Sequence, residues 1–211
     1  MGARREIVHL AHEIACPTLK KTIGYYIRDK QMRNPNQSRS YAIGLTVLSA
    51  LGRMIPHVPN VTPLGASCLF AGSRIGGYLS YLLPLAVMLI TDPFVGGFSR
   101  SSLVVYACFM INVWIGRRLV RQVTAARVGG AAFLCSLQFY LLTNLAVWFV
   151  SSGGARHFYA RSLNGLLECY AAALPFWGRT LAGDLLFSGA LFGMYALLAR
   201  RGSEAGARAV A

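Results

Sequence analysis

Between residues 41 and 199 the sequence is a succession of apolar segments separated by short polar turns, and this pattern most constrains the fold. Of the 211 residues, 55% are hydrophobic and 13% are charged, which is roughly half the charged share of a soluble domain. No segment alternates polar and apolar residues long enough for a membrane β-barrel. The pattern therefore predicts an integral membrane protein that folds as an all-α bundle.

We predict about six transmembrane helices in a membrane domain at 41–199, with a basic segment at 1–40 before it and a tail at 200–211 after it. A loop is expected at 92–99, and a long loop at 151–177. Several spans are shorter than the about 20 residues that cross a bilayer alone, and the first three are rich in small residues, which favours close helix packing. The predicted spans are 41–55, 62–75, 77–91, 101–119, 128–150 and 178–199.

The charge balance indicates an orientation. The chain has 21 Lys and Arg against 7 Asp and Glu, a net charge of +14. In a soluble protein this would suggest a nucleic-acid partner, but here the basic residues lie between apolar runs. Most of them fall on one side if both termini are cytoplasmic, as the positive-inside rule requires. We therefore expect no nucleic acid, and these basic residues remain on the outer side: Arg53, Arg100, Arg156, Arg161 and Arg179.

That topology gathers unusual polar residues at the outer end of the bundle. Ionisable groups at membrane depth are costly and usually face a cavity or a partner. We expect Arg and Asp to hold charged groups of a ligand there, and Trp and Tyr to stack on a flat ring. Asp92 and Arg179 are expected to pair with each other or to flank the ligand. The predicted ligand-binding residues are Arg53, His57, Asn60, Asp92, Asn144, Trp148, Tyr170, Arg179 and Asp184.

Several of these residues also have an ordinary structural explanation. Arg53 would snorkel to the membrane surface, and Asp92 would cap a helix or turn. Asn144 would hydrogen-bond another helix, Trp148 would anchor at the interface, and Asp184 would belong to a buried pair. The expectation of a site therefore depends on their convergence at one face.

Motifs for catalysis, metals and cofactors are absent from the sequence. It contains no G-x-S-x-G, H-E-x-x-H, C-x-x-C or Walker A pattern. We therefore predict that the protein is not an enzyme and binds neither metal nor cofactor. Two alternatives stay open. One is a structural or assembly subunit of a larger membrane complex, docked by the basic leader; the other is a membrane enzyme acting on lipid head groups, with His57 or His157 as the base.

Four stretches between about 45 and 198 resemble the signatures of one family. They are RMIPHVPNVTPLGA at 53–66 followed by LFAG at 69–72; TD at 91–92 with GGF at 96–98; LTNLAVW at 142–148; and GLLECYAAALPF at 165–176 with RTLAGD at 179–184. By these motifs the sequence resembles a bacterial family of uncharacterised membrane proteins with a proposed role in transport. The resemblance implies a multi-pass protein of the bacterial inner membrane. The family's usual Phe-Phe-Arg-Asn is FWGRT here, so the Asn is replaced.

That family is similar in turn to the substrate-binding (S) components of energy-coupling-factor vitamin transporters, by size, six spans and outer-face motifs. This similarity implies uptake of a small vitamin- or cofactor-like molecule from the outer face. A separate transmembrane coupling subunit and ATPases would supply the energy. The stripe Ala42, Thr46 and Ala50 is then a candidate docking face for that subunit, and Cys169 or Cys108 a candidate contact to the ligand.

Overall fold

The computed structural model describes residues 35–55, 59–99, 101–151 and 159–208, and these contain helices and no strand. The predicted all-α architecture is confirmed. Within these ranges there are six α-helices, and a short 3-10 turn at Gly52–Met54 follows the first of them. The helices are α1 Pro35–Leu51, α2 Leu64–Arg74, α3 Leu79–Val95, α4 Ser102–Leu119, α5 Ala125–Ser151 and α6 Leu163–Arg208.

Three segments of the described chain are long and apolar enough to cross a membrane, which indicates a membrane protein, as predicted. They are Ser102–Leu119 in α4, Ala125–Val150 in α5 and Leu163–Ala199 in α6. The apolar helix α3 is slightly shorter, at 17 residues, and α2 has only 11.

The long loop expected at 151–177 is wrong. A single helix of 46 residues, α6, begins at Leu163 and continues through Pro175 into the predicted sixth span. The Leu and Ala residues before that proline are strong helix formers, and a proline inside a membrane helix is tolerated where neighbouring groups satisfy the freed carbonyl. The loop expected at 92–99 is likewise shorter, because α3 continues past Pro93 to Val95.

The chain divides into two compact units. One is Arg39–Leu198, which contains the core and the site described below. The other includes the described helical segments 35–38 and 199–208.

Helix α2 is the most deeply buried element, with every residue from 64 to 72 buried. Two glycines bring it against α4. A Cβ at Gly72 would collide with the backbone carbonyl of Val113, and a Cβ at Gly116 would collide with that of Leu69. Ser73 Oγ also donates to the carbonyl of Val120 at 2.8 Å. Small residues at such contacts let helix backbones approach closely, so α2 is fixed beside the C-terminal half of α4.

The expected docking stripe on α1 is wrong, because Ala42, Thr46 and Ala50 are completely buried within the protein. Ala50 belongs to a core cluster with Cys68 of α2 and Val113 of α4. The stripe therefore serves packing inside the bundle and presents no face to another subunit.

Candidate functional site

A cavity of about 220 Å³ lies where α2 begins, between the 3-10 turn and the long helices. Its wall mixes polar and apolar side chains. The polar ones are Arg53, Asn60, Thr62, Asn112, Thr180 and Asp184. The apolar ones are Leu64, Val95, Val105, Phe109 and Phe139. Three of the predicted ligand-binding residues, Arg53, Asn60 and Asp184, are thus brought together.

At one side of the cavity, Arg53 is held by an acid that does not itself line the wall. Arg53 Nη2 lies 2.7 Å from Asp92 Oδ1, and the hydroxyl of Tyr106 donates to Asp92 Oδ2. Both carboxylate oxygens of Asp92 are therefore occupied by the protein. The buried Nη1 of Arg53 has no hydrogen-bond partner among the described residues. Asp92 thus orients Arg53 and leaves its Nη1 without a partner among the described residues.

A turn with an unusual backbone conformation precedes α2. Asn60 has φ of 68°, a left-handed conformation in which Asn is enriched several-fold. Residues 59 and 60 form a turn, and Pro63 is the N-cap of α2. Arg53 and Asn60 both line the cavity beside the start of α2.

Asp184 lies on another side of the cavity and is the most unusual group in it. Asp184 is only 4% exposed. Within the described ranges, no hydrogen bond or ion pair reaches its carboxylate. The carboxylate packs on Gly65 in the first turn of α2, where a Cβ would collide with one oxygen and lie 3.0 Å from Cγ. The positive end of the α2 dipole favours an anion here. Burying a carboxylate without a hydrogen-bond or ion-pair partner is nevertheless energetically costly.

Four polar residues that line or support the wall were not predicted: Thr62 and Thr180, and two amide residues that contact each other. Asn112 of α4 is 1% exposed and lines the cavity. Gln138 of α5 donates through Nε2 to Asn112 Oδ1 at 2.7 Å and to the carbonyl of Cys108 at 3.0 Å. Both interrupt otherwise apolar spans, which was the available sequence signal.

Three predicted residues are placed away from the cavity, where α5 meets the start of α6. Asn144 Nδ2 donates to the carbonyl of Tyr140 in its own helix at 2.8 Å, so its side chain does not bridge helices. Trp148 Nε1 donates to the carbonyl of Ala160 at 2.9 Å. Tyr170 donates to the carbonyl of Leu141 at 2.9 Å. All three side-chain donors are satisfied by backbone oxygens within the fold.

The expected pair between Asp92 and Arg179 is wrong, because Asp92 pairs with Arg53. Arg179 is exposed and does not line the cavity. It lies five residues before Asp184 in the same helix, which turns it about 140° away. His57 and His157, on which the lipid-enzyme alternative depends, fall outside the described residues.

The two cysteines singled out as ligand contacts are buried away from the cavity wall. Cys169 Sγ lies 3.5 Å from the carbonyl of Asn144, and Cys108 is completely buried in α4. Across the described ranges, no three His, Cys, Asp or Glu side chains lie close enough to hold a metal ion.

The comparisons with known proteins agree with the sequence motifs that the chain belongs to an uncharacterised family. No curated protein and no solved structure matches the chain. The prediction of an uncharacterised family is confirmed, whereas the further similarity to S components stays a prediction. A family profile matches residues 33–205, and the chain therefore belongs to that family, described as a family of unknown function, DUF6580.

Proposed function

We propose that this protein binds a small polar solute in the cavity beside α2 and takes part in its transport across the membrane. The observation that carries the proposal is Asp184, a buried carboxylate on the cavity wall with no partner in the described chain. Charged groups inside membrane proteins are rare and mark substrate or ion pathways. A solute that supplies a cationic or N–H donor group would satisfy this carboxylate.

The remainder of the wall narrows the kind of solute. Arg53 offers a free guanidinium donor opposite in charge to Asp184, so a solute with both an acceptor and a donor end fits best. Phe109 and Phe139 give the wall an aromatic part, with ring centroids 5.2 Å apart. A volume of about 220 Å³ is below the roughly 300–1,000 Å³ of pockets for drug-sized ligands. The solute is therefore small.

The finer parts of this proposal follow the family resemblance. We infer six spans with both termini in the cytoplasm, in a bacterial inner membrane, with the cavity open to the outer face. The solute would be vitamin- or cofactor-like, and energy would come from a separate coupling subunit with ATPases. The order of the six described helices, three of them long enough to cross a membrane, and the presence of Arg53 and Asn60 on the wall of one cavity support this arrangement.

The test begins with the protein purified in detergent. Small molecules are extracted and identified by mass spectrometry, and their retention is compared between wild type, Asp184→Asn and Glu168→Gln. Glu168 is an exposed acid of the same helix, so both variants remove one negative charge from α6. We expect retention to fall in Asp184→Asn and to be unchanged in Glu168→Gln.

Two results would contradict the proposal. One is a wild-type extract that contains no small molecule beyond a detergent blank, together with no binding to a panel of vitamins and their precursors. The other is equal retention in both variants, which would remove Asp184 from the site.

A further inference from the structure

We propose a second binding site, for the phosphate head group of an anionic phospholipid, in a groove where α4 ends and α5 begins. The groove has a volume of about 660 Å³ and shares no residue with the solute cavity. It is lined by three arginines, Arg118, Arg121 and Arg127, and we refer to it as the arginine groove.

No acid among the described residues pairs with the three arginines. All are exposed, and the described chain contains no ion pair that involves them. Arg118 lies over the ring of Trp114, with its Cζ 5.8 Å from the centroid, a contact that leaves the guanidinium edge available. The neighbouring Arg117 is different, because it donates to the carbonyl of Gly77 at 3.4 Å. Three positive charges therefore converge on one groove, and the described part of the chain supplies no anion to it.

The ends of the helices explain only part of this arrangement. A basic residue at the C-terminus of α4, such as Arg118, is favoured by the helix dipole. Arg127 is not, because it lies in the first turn of α5, which contains no acidic residue. There it adds to the positive end of that dipole. Arg127 N donates to Thr124 Oγ1 at 3.2 Å, so this end is capped without supplying negative charge. An external anion would relieve the excess.

The location and the rest of the wall favour a lipid over a soluble anion. Both α4 and α5 are long enough to cross a membrane, so the short turn between them lies at a membrane surface. Leu119 and Leu134 line the same groove and are exposed, as expected for side chains that contact an acyl chain. Basic pockets between membrane helices at a surface suit anionic head groups.

The experiment titrates the purified full-length protein with phosphatidylglycerol or phosphatidylcholine of identical acyl chains and measures bound lipid by native mass spectrometry. The variant Arg118→Gln/Arg127→Gln removes two charges from the groove. Its matched control is Arg39→Gln/Arg201→Gln, two exposed arginines that do not line it. We expect the wild type to prefer phosphatidylglycerol, the groove variant to lose about thirtyfold in affinity for it, and the control to keep it.

A second variant tests the groove without changing charge. Gly130 lines it, and a Cβ there would meet nothing within 4 Å, so Gly130→Leu fills the groove and leaves the backbone undisturbed. We expect it to lose phosphatidylglycerol while all three arginines remain.

Equal binding of the two lipids, or unchanged binding in both groove variants, would overturn the proposal. So would displacement of phosphatidylglycerol by an equal concentration of inorganic phosphate, because the site would then be one for a soluble anion. None of these outcomes bears on Asp184, so the lipid site and the solute cavity are tested independently of each other.

Discussion

Arg53 and Asp92 form an ion pair, with Nη2 2.7 Å from Oδ1, and the hydroxyl of Tyr106 occupies the other oxygen of the same carboxylate. The pair joins the 3-10 turn at Gly52–Met54 to α3, and Tyr106 adds α4. Its side chains are 14% and 9% exposed. Asp92 therefore positions Arg53 without lining the cavity itself. Its two contacts connect the 3-10 turn, α3 and α4 around the cavity.

The first prediction concerns this pair. Arg53→Gln and Asp92→Asn should each destabilise the protein, because each leaves a charge nearly buried without its partner. The double variant should be less destabilised than the sum of the two, with a coupling free energy of about 1–3 kcal/mol. Thermal unfolding in detergent, combined as a double-mutant cycle, measures this quantity. Additive effects would show that the two side chains do not interact.

The second prediction concerns the contact between α2 and α4. Gly72→Ala and Gly116→Ala each place a methyl group against a backbone carbonyl of the facing helix. Because the helix backbone cannot shift locally to make room, both variants should lower the unfolding temperature. Gly129→Ala and Gly189→Ala are the controls, because a Cβ at either meets nothing within 4 Å. They should be neutral or stabilising by up to about 1 kcal/mol, from helix propensity. Equal effects in the two groups would contradict the close packing.

The third prediction separates binding from stability. At Gly65, the atoms that a Cβ would meet belong to the Asp184 carboxylate, the mobile end of a side chain. Gly65→Ala should therefore displace that carboxylate, and lower retention of the co-purified solute more than it lowers the unfolding temperature. Gly44→Ala, where a Cβ meets nothing, is the control for both measurements. Full retention in Gly65→Ala would mean that the position of Asp184 does not matter for the solute.

The fourth prediction concerns the polar pair between α4 and α5. Gln138→Leu removes the donor to Asn112 Oδ1 and leaves this nearly buried oxygen unpaired. The variant should therefore lower the free energy of unfolding by about 1–3 kcal/mol. Replacing both residues by Leu removes the unpaired group and should recover part of the loss. The two variants are compared by thermal unfolding. A double variant as unstable as Gln138→Leu would indicate that Asn112 contributes through packing alone.

The sequence was sufficient for the fold class and for part of the cavity. Apolar periodicity and scarce charge predict membrane helices, and the unusual acids and arginines in apolar surroundings identified Arg53 and Asp184. The loop expected at 151–177 is too long because Glu168 and Pro175, which interrupt the apolar pattern, lie within a continuous helix. Both are compatible with a helix when their neighbours are helix formers.

Pairing between distant residues was the part that local patterns could not supply. Asp92 finds Arg53 because α3 packs beside the 3-10 turn, a contact that no spacing in the sequence encodes. Arg179 does not reach it because it is exposed on α6, turned about 140° from Asp184 of the same helix. Asn112 and Gln138 are each a single amide in an apolar span. Their hydrogen bond across α4 and α5 becomes evident only when the two helices are placed side by side.

The short length of α2 has a consequence for the barrier across the bilayer. The helix starts at the cavity with Leu64 and Gly65 and ends at Arg74, beside the end of α4. Its 11 residues span about 16 Å, whereas the hydrocarbon layer is about 30 Å thick. Helix α2 alone therefore covers about half of that thickness, and the longer helices α4, α5 and α6 are the described elements able to cover the rest.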